Sequence, residues 1–397
     1  MKAEGIALQL DGVDFDEWTS AEVSRDLKDF SGSFSFTVRD AIRSLASFDF
    51  ATLGAAYLMR PGAEAKIYID GNLVLLGYVD DVSPTIDDSQ ASVTISGRDK
   101  TGDLVDSAAL VDGPAEVKNA KLEDAAAEIA KPFGLTVRSE IDTGEPFPRY
   151  SLDLSETAFS AIEKGARSRH ALMLSDGVGG VVITRTGKTR APADLTLPGN
   201  VRRASGKFSH KNRHSENIVR GQGEFAGKDR TAALLIEPAS SPILPADRQP
   251  GDGAATALER KGTAATGRAK DDEINRYRPI VHLARSKAAN VPAQDEADWR
   301  MRTARGESEE FSYTVRGHGE QGRIWRINEL TNVADNYLQV FRDMLISHVT
   351  FREDESGRET DLTVTSPEAF DKDPVGSRRT NKKASNSKGL DSKAEKL

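Results

Sequence analysis

Apolar and polar residues alternate with period two along the first hundred positions. Ser33-Phe34-Ser35-Phe36-Thr37-Val38 carries the pattern of a half-buried strand. Ala65-Lys66-Ile67-Tyr68-Ile69 repeats it and runs into Asp70-Gly71-Asn72, a hairpin signal, with Leu73 to Val79 as the returning strand. Gly5 to Leu10 ends at the turn dipeptide Asp11-Gly12, and Ser92 to Ser96 alternates again. Residues 1–105 therefore predict a first β-domain, a small barrel or sandwich. The stretch from Asp40 to Leu58 interrupts it with a long loop or short helix.

The period changes over residues 106–195. Leu122, Ala125, Ala126 and Ile129 recur at helical spacing, which predicts a helix from Asn119, as its cap, to Ala130. Pro132 and Gly134 stop it before a strand at Leu135-Thr136-Val137. A second helix is predicted from Ser155, burying Phe159, Ile162 and Ala166, and a hairpin joins His170–Leu174 to Val181–Ile183. This segment reads as an α+β insert. Strands return over 196–370: Asn217 to Arg220, Thr231 to Ile236, Glu310 to Gly317, Gly322 to Ile327, Leu345 to Phe351 and Glu359 to Thr365. A helix is predicted from Gln294 to about Arg305. A stretch rich in Pro, Gly, Ala and charge, 237–275, reads as a long loop of the kind that is functional or disordered. Residues 371–397 are polar and basic, with the composition of a flexible tail. The predicted fold class is α+β, mainly β: two small β-domains, the first a barrel or sandwich, flank the insert, ahead of the tail; the resemblance given below implies that both are tube-type β-barrels. The two β-regions share strand content without a sequence repeat of fixed period.

Composition narrows the function classes. The 397 residues carry a net charge of −8, which argues against a duplex nucleic-acid binder with a basic face. There is no cysteine, so disulfides, thiolate metal sites and thiol nucleophiles are absent. No stretch approaches the ~18 consecutive apolar residues of a membrane-spanning helix, and Met1 to Gly12 lacks the apolar core of a signal peptide.

Candidate chemistry is sparse. Ser209 and His210 are neighbours, but adjacent residues on a strand face opposite ways, and no G-x-S-x-G elbow occurs. His210 and His214, with Glu216 beyond, stand four apart in a polar stretch and read as solvated histidines. Asp80-Asp81 and Asp87-Asp88 read as turn residues. Gly177-Val178-Gly179-Gly180 reads as a hairpin tip, since it lacks the lysine and following helix of a phosphate loop. The basic run Arg202, Arg203, Lys207, Lys211, Arg213 reads as a solvated linker. Its alternatives are contact with an acidic neighbour subunit or a nucleic acid. Trp18, Trp299 and Trp325 are scattered and read as packing residues. No catalytic, cofactor-binding or metal-binding residue is assigned, and no cofactor is expected.

One set of segments resembles a known family. Val74-Leu75-Leu76-Gly77-Tyr78-Val79-Asp80-Asp81 is followed by Ser92 to Ser96, then Gly97-Arg98-Asp99 and Asp103-Leu104-Val105-Asp106-Ser107. These resemble the G-x-V-D, S-G-R-D and D-L-V-D-S signatures of the baseplate hubs of Mu-like contractile phages, relatives of the N-terminal part of type VI secretion spikes. Glu310 to Gly317, Arg323 to Asn328 and Leu345 to Phe351 follow in the family's order. The resemblance implies a structural, non-enzymatic homotrimer in the virion tail baseplate, assembled in the host cytoplasm. Three chains would present six similar barrels, joining a sixfold tail tube, or a tube-initiator protein, to a threefold central spike. DNA would pass through the lumen without specific binding, and other baseplate proteins would be neighbours. A tail-associated cell-wall hydrolase and a carbohydrate-binding β-protein are the competing classes. If the basic tail docks on a baseplate partner by charge, deleting residues 376–397 should lower baseplate assembly and infectivity. Unchanged infectivity of the truncated phage would remove that role.

Overall fold

The computed structural model describes residues 4–15, 18–40, 60–86, 91–109, 116–153, 155–222, 264–284 and 293–372. The predictions made for 41–58 and for Thr231–Ile236 lie outside them, as do those for Asp87-Asp88 and the tail beyond Lys372. The chain forms two compact units. One takes the described residues up to Phe208 together with Glu309–Lys372, and the other lies within Ser209–Ser308. A separate unit thus stands inside the stretch 196–370, which reads in sequence as one β-domain.

In the larger unit the N-terminal strands are β1 (Ile6–Leu10), β2 (Val13–Phe15), β3 (Ser20–Asp26), β4 (Ser33–Asp40), β5 (Glu64–Ile69), β6 (Asn72–Ile86) and β7 (Ala91–Asp99). The insert holds β8 (Glu116–Ala120), β9 (Thr136–Ser139), β10 (Phe147–Ser151), β11 (Leu172–Ser175) and β12 (Gly180–Thr184). β13 (Thr189–Arg190), β14 (Leu195–Leu197) and β15 (Val201–Phe208) follow in sequence. The smaller unit contributes β16 (Glu216–Gln222), β17 (Ala264–Lys270) and β18 (Pro279–Leu283). The chain closes with β19 (Glu309–Arg316), β20 (Gly319–Glu320), β21 (Arg323–Ile324), β22 (Glu329–Asp335), β23 (Val340–Asp354) and β24 (Gly357–Thr365).

The protein is mainly β. Fourteen strands form one sheet in the order β15-β19-β24-β23-β3-β4-β7-β6-β5-β1-β2, with β22 on β23 and β13 and β14 on β22. Among the described residues this path does not close into a barrel. It does contain a duplication. The run β3-β4-β7-β6-β5 is repeated, antiparallel throughout, as β15-β19-β24-β23-β22. β6 and β23 are both 15 residues long, and β7 and β24 both 9. Each long strand carries its irregularity at the same place, between Val79 and Asp81 in β6 and between Ile346 and His348 in β23. A bulge bends and twists a strand, so a shared bulge is a shared shape.

The two halves meet where β3 pairs with β23, from His348 opposite Asp26 to Asp354 opposite Ser20. One core lies under both. Phe34, Phe36, Ile67 and Ile95 come from the first half, and Phe311, Tyr313, Val349 and Phe351 from the second. The period-two pattern places them there, and burying each such side chain contributes roughly 1.5–3 kcal/mol.

The insert builds a second core from the helices Leu122–Ala130 and Ala158–Ser168 packed with β9, β11 and β12. The first helix begins later than the sequence suggests. Asn119 sits in β8 at φ 56°, and Lys121 is the cap. Asn tolerates a left-handed turn as readily as a cap, which is why the pattern misleads. The second helix starts after Thr157, whose hydroxyl accepts from the Ser160 amide at 3.2 Å.

In the smaller unit β17-β16-β18 are backed by the helix Ala293–Gly306 through Val219, Ala269, Ala297 and Met301. Strand β17 falls inside the predicted loop 237–275 and corrects that boundary. Ala264 to Lys270 shows no large apolar alternation because the helix lies so close. A Cβ on Gly267 would stand 2.0 Å from the Ala293 carbonyl oxygen. The strand predicted at Gly322–Ile327 shrinks to the two residues of β21.

Where β6 crosses β7 the backbones also nearly touch. A Cβ on Gly77 would lie 1.8 Å from the Arg98 carbonyl oxygen, and one on Gly97 2.0 Å from that of Tyr78. Gly77→Ala should therefore destabilise the larger unit by about 3 kcal/mol, lowering its denaturant midpoint. A surface Ser83→Ala control should change it little.

Candidate functional site

Three sequence signatures converge at the end of β7. Arg98 reaches Asp80 (Nε–Oδ2 2.9 Å) and Asp106 (Nη2–Oδ2 2.6 Å), so it clamps the end of G-x-V-D to the end of D-L-V-D. Asp106 closes the short helix Gly102–Asp106. These side chains are 39–57% exposed, where ion pairs contribute at most about 1 kcal/mol. Hydrogen bonding by Asp106 and Asp80 holds the Arg98 pKa above its usual range.

Asp99 next to it is 2% exposed and carries more of the stability. Its carboxylate accepts from the Gly32 amide (2.8 Å), the Thr101 amide (2.9 Å) and the hydroxyls of Ser31 (3.0 Å), Ser175 (2.9 Å) and Thr101. Ser175 belongs to the insert, so this carboxylate ties insert and sheet together. Arg25 adds to the tie by donating to the carbonyls of Ser175 and Asp176 (3.0 Å to the latter). The Leu76 amide donates to the Gly177 carbonyl at 2.8 Å. Gly177 has φ +84°, and a Cβ there would meet the Val74 carbonyl oxygen at 2.4 Å. The glycine-rich tip is therefore the docking point of the insert's hairpin.

A second polar row lies on the junction of the halves. His348 Nδ1 is 3.1 Å from Asp26 Oδ2, and its Nε2 is 2.7 Å from Thr350 Oγ1 and 3.3 Å from Ser24 Oγ. The order is that of an acid–base–nucleophile row. However, both hydroxyls approach the same nitrogen and each other (3.4 Å). They also stand on strands paired along both edges, whose amides are engaged in the ladders. The row works as a cross-strand link. Burial pushes the Asp26 pKa up, but hydrogen bonds from His348 and the Lys28 amide outweigh it and hold the carboxyl below its usual range. Arg352 with Glu22 (3.2 Å), and Glu353 accepting from the Ile6 amide (2.6 Å), extend the same junction.

A cleft of about 850 Å³ lies among hairpin tips that include Asp70-Gly71-Asn72, Gly319–Ile324 and Ser356-Gly357. Three of its arginines already face carboxylates: Arg202 with Glu359, Arg323 with Glu329 (3.3 Å) and Arg358 with Asp70 (3.7 Å). His318 is buried in its wall, edge-on to Phe351, and burial lowers its pKa. Burial pushes Glu329 up to about 7, against the pull of Arg323 and Arg326.

The residues singled out from sequence are not brought together. Ser209 donates its amide to Ser308, and the His210 carbonyl accepts from Arg278 (2.9 Å). No group of three or more His, Asp or Glu residues able to hold a metal is formed among the described residues. The basic run is not a linker: Arg202, Arg203 and Lys207 lie on β15. Arg213 is buried in a fork with Asp271 (2.8 and 2.9 Å) and Glu273 (2.6 Å). Trp325 is buried, and Trp18 packs edge-on to Phe36 at 5.9 Å. No helix among the described residues is long and apolar enough to cross a membrane.

Known proteins resemble this chain in sequence and fold. Residues 5–99 match the family profile of the Mu phage baseplate assembly protein GpP-like N-terminal domain. Residues 101–185 match the second domain of baseplate hub protein gp44-like, and 289–373 the fourth domain of Mu phage baseplate assembly protein GpP. Baseplate hub protein gp44 of Escherichia phage Mu is 30% identical over 97% of this chain and 93% of its own length. The crystal structure of the prophage MuSo2 43 kDa tail protein from Shewanella oneidensis superposes with a TM-score of 0.74. It is 29% identical, over 93% of this chain and 99% of that one. A tail protein of Neisseria meningitidis MC58, 18% identical over 93% and 98% of the two chains, has the same fold with a TM-score of 0.69. The chain belongs to the family of Mu-type phage baseplate hub proteins, structural components of the tail rather than enzymes.

Two measurements test the polar groups. Asp99→Asn sets an amide against the surrounding donors and should cost about 3 kcal/mol or more in urea unfolding. Glu329 has its folded pKa raised, from 4.5 to about 7. The folded state therefore holds the extra proton, so its contribution is complete below pH 4.5 and is lost as pH rises through 7. Glu329→Gln should accordingly raise Tm relative to the parent at pH 8.5 and leave it nearly unchanged at pH 4.

Proposed function

We propose that this protein is the central hub of a contractile-tail baseplate, in which three copies form a ring of pseudo-sixfold symmetry. The observation that carries the reading is the duplicated run of five strands with its shared bulge. A threefold ring of such chains offers six similar surfaces, which suits a protein between a sixfold tail tube, or its initiator, and a threefold spike. Each half then serves as one tube-type barrel domain, the first within residues 1–105 and the second within 196–370. The insert, 106–195, lies against the first half through Asp99 and Gly177. The stretch from 371 is a tail available to neighbouring baseplate proteins.

The virion tail is the site of action, after assembly in the host cytoplasm. The ring surrounds a lumen through which DNA slides without being held, in keeping with a net charge of −8. The row at His348 is a cross-strand link and supports no competing hydrolytic reading.

The test is the mass and image of the purified particle. Three times the 43.0 kDa chain mass and a ring with a central hole are expected. A monomer persisting across micromolar concentrations, with no ring in micrographs of tails, would overturn the assignment.

A further inference from the structure

The two outer edges of the small sheet β17-β16-β18 are finished differently. On β17 the edge is closed. The Arg268 amide donates to Gln294 Oε1 (3.1 Å), and the Arg268 carbonyl accepts from Gln294 Nε2 (2.8 Å). One side-chain amide thus stands in for a neighbouring strand. On β18 the edge is open. The Ser215 amide donates to the Arg278 carbonyl, and the Ala284 amide to the Arg220 carbonyl. The even-numbered residues of this stretch therefore turn their backbone groups toward β16. Backbone direction alternates along a strand, so Val281 and Leu283 turn theirs outward. Among the described residues no strand stands there.

The side chains continue the contrast. Val219 and Ala269 face the helix. The opposite face sets Ile218 between Arg268 and Val281, and Arg220 between Thr266 and Leu283. Val281 is 52% exposed and Leu283 83%. β16 and β18 run parallel, a pairing found mostly where both faces of a sheet are covered. Arg268 is held by Glu216 at 3.2 Å. Arg220 is exposed, and no carboxylate pairs with it among the described residues. The acidic turn Asp271-Asp272-Glu273 stands at the far end of the strands, beside Ser215, where Asp271 and Glu273 hold Arg213.

From these observations we infer that β18 is the docking edge for an extended, acidic segment of another tail protein, which joins the sheet as a fourth strand. Strand addition takes its affinity from an open backbone edge and its specificity from alternate side chains. The outward groups of Val281 and Leu283 supply the ladder bonds. Apolar side chains of the guest cover those two residues, and a carboxylate reaches Arg220. Folded sheets blunt their exposed edges with charge, proline or a cover. This sheet does so on β17 and leaves the apolar edge bare. The chain's own apolar run at residues 232–236 contains no carboxylate, so it does not answer the charge of this face. Such docking requires only a place in the tail and is independent of the ring proposed above.

The full-length protein with Leu283→p-benzoylphenylalanine is the probe, irradiated in assembled tails, with the joined peptides identified by mass spectrometry. One acidic segment of a different tail protein is expected. Val281→Pro removes an N–H that β16 does not use, so it should leave the fold intact and lose the cross-link. Arg220→Glu should weaken the cross-link several-fold, and Arg220→Lys should retain it. If circular dichroism shows that Val281→Pro unfolds the chain, the exposed Arg220 pair of variants carries the test. Cross-links to residues 223–263 of the same chain, to a second copy or to a segment without carboxylates overturn the docking edge. So does the absence of any cross-link, or one that persists unchanged with Arg220→Glu.

Discussion

The pairing of β3 with β23 is the contact on which the rest of the larger unit depends. It turns two separate five-strand runs into one sheet over one core, and it draws on the N-terminal and C-terminal parts of the chain together. His348 with Asp26, Arg352 with Glu22, and Glu353 with the Ile6 amide all lie on it. None of these links is strong by itself in a half-exposed setting. Their effect comes from fixing register, because a slip of one residue would turn Phe351 and Val23 away from the core.

The insert depends on this frame in turn. Its hairpin reaches the sheet through Ser175 and Gly177, and the buried carboxylate of Asp99 receives it. The signature S-G-R-D is thereby explained residue by residue. Glycine lets the strands cross closely, arginine clamps two flanking aspartates, and the final aspartate gathers donors from the sheet, the adjoining helix turn and the insert. Removing a surface arginine costs a little, whereas removing a buried acceptor strands several donors at once.

Much of this was legible in sequence. Period-two alternation located β4, β5, β7 and β19, and Asp70-Gly71 marked a real hairpin. The order of the signatures pointed to the family. The duplication was not legible, because the halves share spacing without sharing residues. Phe34 and Phe36 answer to Phe311 and Tyr313, yet Gly97 answers to Val364 and Asp81 to His348. Strand β17 escaped because a close helix selects small residues there over an apolar stripe. The polar row at His348 escaped because its two halves, Ser24 with Asp26 and His348 with Thr350, lie more than three hundred residues apart, and only the sheet brings them together.

The bulged long strand has a mechanical consequence. A strand of 15 residues runs roughly 50 Å, and β23 holds β22 over one end and β3 over the other on a single edge. It is a splice plate. A pull along its axis loads the seven residue pairs shared with β3 in parallel, and none can yield before the others. A pull across it opens them one after another, from an end. The protein is therefore stiff in one direction and peelable in the direction at right angles.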